Sequence, residues 1–158
     1  MERITYNKEW DYARPTHEYR YKLAGKYTQD SDTVVDMACG IGYGKEFLKG
    51  KYIGVDREPL CGNIVADLNK WKPDFEFDVA ISFETLEHLK NYQNLVDILK
   101  RAKKYIIYSS PIIPTRHINK YHLQDFTYKQ LRELFKGEII HEEIQNNTYG
   151  IFVVKNYV

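Results

Sequence analysis

Three glycines and an aspartate stand in an order that could hold a nucleoside. Gly40, Gly42 and Gly44 follow an apolar run in residues 34–44, V-V-D-M-A-C-G-I-G-Y-G. Glycine allows positive φ and keeps side chains off the bend, so a ligand can lie against bare backbone and face the first amides of the next helix. We expect the Asp36 carboxylate to point into the same crevice. A strand-to-helix turn without a ligand is the alternative.

A second aspartate favours the nucleoside interpretation. Residues 52–55 predict a buried strand that ends in Asp56, twenty positions after Asp36. At this spacing a carboxylate accepts hydrogen bonds from ribose hydroxyls in nucleoside-binding α/β units. A phosphate-binding P-loop is excluded, because no Gly-Lys-Ser/Thr follows the glycines.

Two carboxylates and an imidazole follow the predicted central strand, residues 77–83. Glu84, Glu87 and His88 have the spacing i, i+3, i+4, which puts them on one face if the segment is helical. Such a group could be a base and its orienting partner for an acceptor hydroxyl, or it could bind a divalent cation. Alternatively, Glu87 and His88 only hydrogen-bond the start of the following helix.

The elements around these residues predict an α/β domain spanning residues 1–158, with a mostly parallel sheet of seven strands, or six. The connection between residues 56 and 64 is short for a parallel crossover, so its helix is missing or reduced to one turn. Asn146 and Asn147 predict a final antiparallel hairpin. Other predicted strands are 64–68, 104–109, 137–145 and 149–156, and predicted helices are 43–49, 91–103 and one opened by a capping box at 127–130.

The N-terminal residues predict a lid. Pro15 and Thr16 signal a helix start, and Trp10 and Tyr12 precede it among charged residues. We expect residues 1–30 to form a lid and helix that cover the crevice.

The amino-acid composition limits the kinds of molecule with which this chain would associate. The chain has 23 basic and 22 acidic residues, so no overall positive field attracts nucleic acid. Its two cysteines give neither a disulfide framework nor a metal-ligand spacing, and no apolar run approaches a membrane span. No signal peptide opens the sequence, so we expect a cytoplasmic protein that does not associate with membranes.

The order acidic, Gly, Gly, acidic resembles the S-adenosylmethionine (SAM) site of the class I methyltransferases. Three strings resemble a type 11/12-like group of these enzymes that is associated with glycans and nucleotide sugars. They are H-E-Y-R-Y-K-L-A at 17–24, S-F-E-T-L-E-H-L at 82–89 and R-H-I-N-K-Y-H-L-Q-D-F-T at 116–127. The resemblance covers residues 17–135. It departs from the group at Ala38, where many members have glycine, and at 101–104, where a Lys-Pro-Gly-Gly turn is usual.

This resemblance implies a Rossmann-like class I methyltransferase fold, SAM as cofactor and S-adenosylhomocysteine (SAH) as product. By resemblance, Asp36, Gly40 and Gly42 face the methionine end of SAM, while Asp56 holds the ribose. Asp67 would accept from the adenine amino group, with a role as a loop carboxylate or helix cap as the alternative. The other implied cofactor contacts are Ala38, Leu68 and Phe83.

We therefore expect methyl transfer to an oxygen of a small hydroxylated or sugar-containing acceptor. The implied catalytic residues are Glu84, Glu87, His88 and His122. We do not expect a nucleic acid acceptor, because the Asn/Asp-Pro-Pro-aromatic and Pro-Cys motifs of base methyltransferases are absent. A catalytically silent SAM-binding subunit is one alternative.

The other alternative is a metal-assisted RNA ribose methyltransferase. A Glu-x-x-Glu-His string with a later histidine resembles the cation site of the small-RNA 3′-terminal ribose methyltransferases. Glu84, Glu87 and His88 match the string, and His117 competes with His122 for the fourth position. We nevertheless predict no resident metal.

Overall fold

The computed structural model describes residues 8–60 and 63–157. Its strands are β1 (Thr33–Met37), β2 (Lys51–Asp56), β3 (Ile64–Val65), β4 (Val79–Phe83), β5 (Tyr105–Pro111), β6 (Glu138–Gln145) and β7 (Tyr149–Lys155). They form one sheet in the order β3-β2-β1-β4-β5-β7-β6. The first five strands in this order are parallel, and β7 is antiparallel to both β5 and β6. The predicted seven-stranded, mostly parallel sheet is confirmed.

Within the described residues, three α-helices accompany the sheet: α1 (Lys8–Gly25), α2 (Tyr92–Leu99) and α3 (Tyr128–Arg132). The prediction that Pro15 and Thr16 mark the start of the first helix is wrong, because both lie inside α1. Proline has a helical φ, so the helix continues through it while losing one hydrogen bond. Residues 1–7 of the predicted lid and the side chains of Trp10 and Tyr12 lie outside the described residues. No helix in the described ranges is long and apolar enough to span a membrane.

The helix predicted at 43–49 is instead a short 3₁₀ helix, Tyr43–Phe47. Gly42 before it has a left-handed φ of 80°. A second glycine, Gly44, packs so tightly that an added Cβ would lie 2.2 Å from the Tyr21 ring. Glycine disfavours an α-helix, so this segment forms only a tight turn. The described residues between β2 and β3, 57–60 and 63, also contain no helix.

The C-terminal predictions hold closely. Asn146 and Asn147 both have φ of 53°, a left-handed conformation that asparagine tolerates in turns, and they lie in the three-residue connection 146–148 between β6 and β7. The α3 helix begins with the predicted capping box, in which Thr127 and Gln130 each bond the other's backbone amide.

Side chains alternate across the sheet, and this alternation decides where the polar residues of β1 point. Val35 and Met37 pack in the larger core cluster, with α2 and α3. Val34 packs in the smaller cluster, with Tyr21 of α1. Asp36 shares the Val34 face because successive strand residues point to opposite sides. The Asp36 side chain is therefore directed towards α1.

Candidate active site

A cavity of about 610 Å³ lies beside the carboxyl ends of β1, β2 and β4, and its wall includes residues of α1 and of the β6–β7 hairpin. This is the edge at which open α/β sheets bind ligands. The predicted site residues on its wall are Ala38, Gly40, Asp56, Leu68, Phe83, Glu84, Glu87, His88 and His122.

The glycine turn and the second aspartate are joined by hydrogen bonds. The Asp56 carboxylate accepts from the backbone amide of Gly40 at 2.9 Å and from that of Glu58 at 3.0 Å. Gly40 has a φ of 57°, and a Cβ added to it would have no neighbour within 4 Å. Ala38 also has a φ of 57°, which glycine adopts more easily. Open space above bare backbone thus lies next to an aspartate, as predicted for a nucleoside site.

Asp36 differs from the expectation, because its carboxylate does not line the cavity. It is fully buried and accepts hydrogen bonds from the hydroxyls of Tyr21, at 3.0 and 3.1 Å, and Tyr52, at 2.7 Å. Burial raises the pKa of Asp36 to about 7, although the two hydroxyls oppose the rise. Asp36 therefore lies behind two tyrosines, on the side of β1 that faces α1.

Two other predicted cofactor residues lie off the cavity wall. The Asp67 carboxylate accepts from the backbone and side-chain nitrogens of Asn69, each at 2.9 Å, and these bonds lower the pKa of Asp67. This is the loop-carboxylate alternative, although Ala66 and Leu68 on either side do reach the cavity. Gly42, which was expected to face the methionine end of SAM, lies off the cavity wall as the N-cap of the 3₁₀ helix.

Glu84 does not share a helical face with Glu87 and His88, contrary to the prediction. It has a left-handed φ of 51°, and the 3₁₀ helix begins only at Leu86. Its carboxylate accepts from the Ser109 hydroxyl at 2.7 Å. Glu84 thus reaches the cavity from the end of β4 rather than from a helix.

Glu87 is a buried carboxyl on the cavity wall. It is 1% exposed, and one oxygen, Oε2, accepts from the Ser110 hydroxyl at 3.2 Å. Its other oxygen, Oε1, is buried and has no hydrogen-bond partner within the described chain. Burial, and secondarily the neighbouring Glu84, raise the pKa of Glu87 well above its ordinary value. This environment favours the protonated form of the Glu87 carboxyl more than water does.

His88 and His122 meet edge to face, with ring centroids 4.7 Å apart. Nδ1 of His88 lies 3.1 Å from the Tyr121 carbonyl oxygen, which can only accept, so Nδ1 carries the proton. Nε2 of His88 is then the basic nitrogen, and it lies 3.8 Å from Glu87 Oε1. The nitrogens of His122 contact Thr115 Oγ1 at 2.6 Å and Asn119 Nδ2 at 3.2 Å. His117 is exposed and off the cavity wall, which leaves His122 in the site.

The sequence predicts that the N-terminal helix covers the crevice, but the residues of α1 that line the cavity were not identified from it. Ala13, Thr16, His17 and Arg20 all line the cavity. Their spacing, i, i+3, i+4 and i+7, is one helical face and could have been recognised. Burial lowers the pKa of His17 to about 4, and its ring contacts the Tyr43 hydroxyl at 2.9 Å. The hairpin contribution of Asn146, Thr148 and Tyr149 had no comparable sequence signal.

No protein-family model matches the chain, and no curated protein matches its sequence. Solved structures match its fold. NodS, an N-methyltransferase from Bradyrhizobium japonicum WM9 in complex with SAH, is 12% identical, covers 93% of this chain and 87% of its own, and has a TM-score of 0.67. A SAM-dependent methyltransferase from Mesorhizobium loti is 15% identical, with coverages of 88% and 97% and a TM-score of 0.64. The [4+2]-cyclase SpnF is 12% identical, with coverages of 91% and 82% and a TM-score of 0.73.

These likenesses confirm the Rossmann-like class I methyltransferase fold. At such low identity they concern the fold alone, and the fold also occurs in a cyclase. The narrower resemblance to glycan-associated enzymes stays a prediction.

Proposed function

We propose that this chain binds SAM and transfers its methyl group to an oxygen of a small hydroxylated or sugar-containing acceptor. The observation that carries the proposal is that a single cavity joins the Gly40–Asp56 turn to the pair Glu87 and His88. A volume of about 610 Å³ lies in the usual range for small-molecule sites. The cavity can therefore hold a nucleoside at one end beside titratable groups at the other.

The residues present fit this cofactor. The space over Gly40 admits a ligand against the backbone, and Asp56 offers carboxylate oxygens to ribose hydroxyls. Leu68 and Phe83 supply apolar wall for the rest of the cofactor. SAM, when bound, supplies an electrophilic methyl group on a cationic sulfur.

His88 is the best-placed base for the acceptor hydroxyl. The Tyr121 carbonyl fixes its tautomer and leaves Nε2 as the proton acceptor. Glu87 is buried beside it, and this burial raises the pKa of the Glu87 carboxyl above its ordinary value. Most of the rate would come from holding the acceptor oxygen in line with the methyl group, with His88 taking the proton during or after transfer.

Replacing Asp56 with alanine should weaken SAH binding about ten- to hundredfold. The ribose would lose hydrogen bonds to a charged group, worth about 1.5–3 kcal/mol. The measurement is calorimetric titration of SAH into the folded variant. The control is Asp67→Ala, since Asp67 lies off the cavity wall and should leave the affinity unchanged. Equal affinities of wild type and Asp56→Ala would remove the ribose assignment.

Transfer is tested with methyl-labelled SAM and a panel of sugars, nucleotide sugars, other hydroxylated compounds and amines. Label in a hydroxyl compound supports the proposal, whereas label only in amines makes the chain an N-methyltransferase. Tight SAH binding without transfer to any member would favour the silent subunit or chemistry other than methyl transfer.

A metal-assisted reaction is the second candidate, and one observation favours it. Glu87, His88 and His122 can each present a ligand atom such that all three lie within 4.8 Å of one another. One carboxylate and two imidazoles suit manganese, cobalt or zinc better than magnesium. Glu84, predicted as a fourth ligand by resemblance, is not part of this group.

We expect methyl transfer to survive exhaustive chelation. Both nitrogens of His122 already contact polar groups, Thr115 and Asn119, so a metal ligand there would have to give up one of these contacts. The test measures metal content and transfer rate before and after chelation. A rate that falls with the metal and returns with added manganese or zinc would establish the second candidate, and Glu87→Gln should then also lose the metal.

A further inference from the structure

Glu87 has one carboxyl oxygen on the cavity side that lacks a hydrogen-bond partner. This oxygen, Oε1, is buried, and the described part of the chain offers it no hydrogen bond. The other oxygen, Oε2, accepts from the Ser110 hydroxyl. The backbone carbonyl of Glu87 accepts from the amides of Leu123 at 2.7 Å and Gln124 at 3.1 Å. These contacts hold the residue in place and leave a buried polar atom unpaired, which is unfavourable until a ligand bonds it.

The basic nitrogen of His88 lies beside this oxygen. Nε2 of His88 and Oε1 of Glu87 are 3.8 Å apart, which is too far for a direct hydrogen bond. Both residues line the same cavity. His88 is itself held, because its Nδ1 bonds the Tyr121 carbonyl. The two atoms therefore offer a ligand two hydrogen-bonding positions side by side, at a fixed separation.

A hydroxyl is the group that suits Oε1 of Glu87 best. Burial and, secondarily, Glu84 raise the pKa of the Glu87 carboxyl, which favours its protonated form. A protonated carboxyl can donate a hydrogen bond, whereas an ionised one only accepts. A hydroxyl both donates and accepts, so it pairs with Glu87 in either form. An ammonium group would need the ionised carboxyl, and a carbonyl would need the protonated one.

The hydroxyl at Glu87 differs from the hydroxyl that receives the methyl group. The reacting oxygen uses a lone pair to attack the methyl carbon and gives its proton to His88. A hydrogen bond donated by Glu87 to that oxygen would withdraw electron density from it and oppose the attack. A second hydroxyl on the adjacent carbon has no such conflict. The 3.8 Å between the two protein atoms suits a pair of hydroxyls on neighbouring carbons.

We propose that the acceptor is a vicinal diol, with one hydroxyl at His88 Nε2 and its neighbour at Glu87 Oε1. This inference rests on the proposed function and deepens it, because it names the substrate class as a sugar or other polyol with adjacent hydroxyls. An O–CH3 bond forms as the S–CH3 bond breaks, the electron pair stays on sulfur to give SAH, and the proton moves to Nε2. Glu87 contacts the unreacted hydroxyl directly, with no metal ion between them.

The test pairs methyl glucoside, methyl mannoside and methyl galactoside with their monodeoxy analogues, with a chelator in every assay. The methylated carbon of each product identifies the hydroxyls next to it. Removing an adjacent hydroxyl should lower kcat/KM of wild type about ten- to hundredfold, because Oε1 then stays buried without a partner.

Two variants of Glu87 connect this loss to the carboxyl. Glu87→Met removes the hydrogen bond at similar size, so it should lose about ten- to hundredfold with the parent sugar and nothing further with the analogue. Glu87→Gln keeps a group that bonds a hydroxyl and should retain most of the discrimination, whereas a carboxylate ligand to a metal would be lost. Glu133→Met, an exposed substitution off the cavity wall, is the control and should behave as wild type.

Equal kcat/KM values of wild type for the parent sugar and the analogue without the adjacent hydroxyl would overturn the diol assignment. This comparison needs no variant, so it holds even if Glu87→Met does not fold. Equal further losses for both sugars in Glu87→Met would also overturn it, because Glu87 would then act apart from the second hydroxyl.

Two more outcomes count against the diol assignment. Loss of transfer under chelation would mean that a metal ion lies between Glu87 and the acceptor. Transfer only to compounds without adjacent hydroxyls would exclude a vicinal diol. Failure of the proposed function gives a different result, since no hydroxyl compound of any kind would then receive label.

Discussion

Replacing His88 with glutamine should lower the rate of methyl transfer by about 10²–10⁴-fold and leave SAH affinity unchanged. The loss would follow from removing the only basic nitrogen that the His88 tautomer presents, because Nδ1 is committed to the Tyr121 carbonyl. Glutamine keeps a polar group of similar reach but cannot take a proton at neutral pH. The measurement is single-turnover transfer to an acceptor found in the panel, beside SAH titration of the same variant.

His117→Gln is the matched control for His88→Gln. His117 is exposed and off the cavity wall, so its replacement should leave the rate at the wild-type value. A wild-type rate in His88→Gln would eliminate His88 as the base. A parallel loss of SAH affinity in that variant would instead make His88 a structural residue.

The part of the site that could be predicted from the sequence is the part fixed by local backbone. Gly40 lies in the turn after β1, and Asp56 ends the adjacent parallel strand β2, so the spacing of the two residues brings the turn and the carboxylate together. The hairpin at Asn146 and Asn147 is equally local, since both residues tolerate left-handed φ. Each of these predictions needed only a strand, a turn and a residue type.

The directions of the acidic side chains could not be predicted in the same way. Whether Asp36 faces a ligand depends on which element covers its side of the sheet, and that element is α1, with Tyr21 above the carboxylate. The spacing of Glu84, Glu87 and His88 predicts a shared face only in a regular helix, whereas Glu84 has a φ of 51° and its carboxylate bonds Ser109. Both outcomes depend on packing between distant segments.

Arg20 shows a different limit of prediction from the sequence. Hydrophobic periodicity detects the packed side of a helix, such as the buried Leu23 of α1. The cavity face of α1 carries mixed small, polar and charged residues, which this periodicity does not detect. The partners that hold Arg20, Gln145 and Tyr149, lie more than a hundred residues away in sequence. A buried arginine is recognisable only once such partners are in place.

Asp36→Asn should stabilise the fold relative to wild type by about 2–3 kcal/mol more at pH 8 than at pH 5. The folded pKa of Asp36, about 7, is above the value near 4 expected for an unfolded aspartate. Between these two values the folded state holds the proton more tightly, so wild type loses stability as pH rises from about 4 to about 7. Asparagine has no proton to lose, so the variant escapes this loss.

The comparison with wild type isolates Asp36 from other titrating groups. His17 acts with the opposite sign, because its lowered pKa of about 4 adds stability as pH rises towards 6.5, but both proteins share it. The measurement is urea unfolding of both proteins from pH 5 to pH 8, with Asp30→Asn, an exposed aspartate, as the control for removing a carboxylate. A difference between Asp36→Asn and wild type that stays constant with pH would mean that Asp36 ionises normally beneath Tyr21 and Tyr52. Burial of Asp36 against α1 would then not control its ionisation.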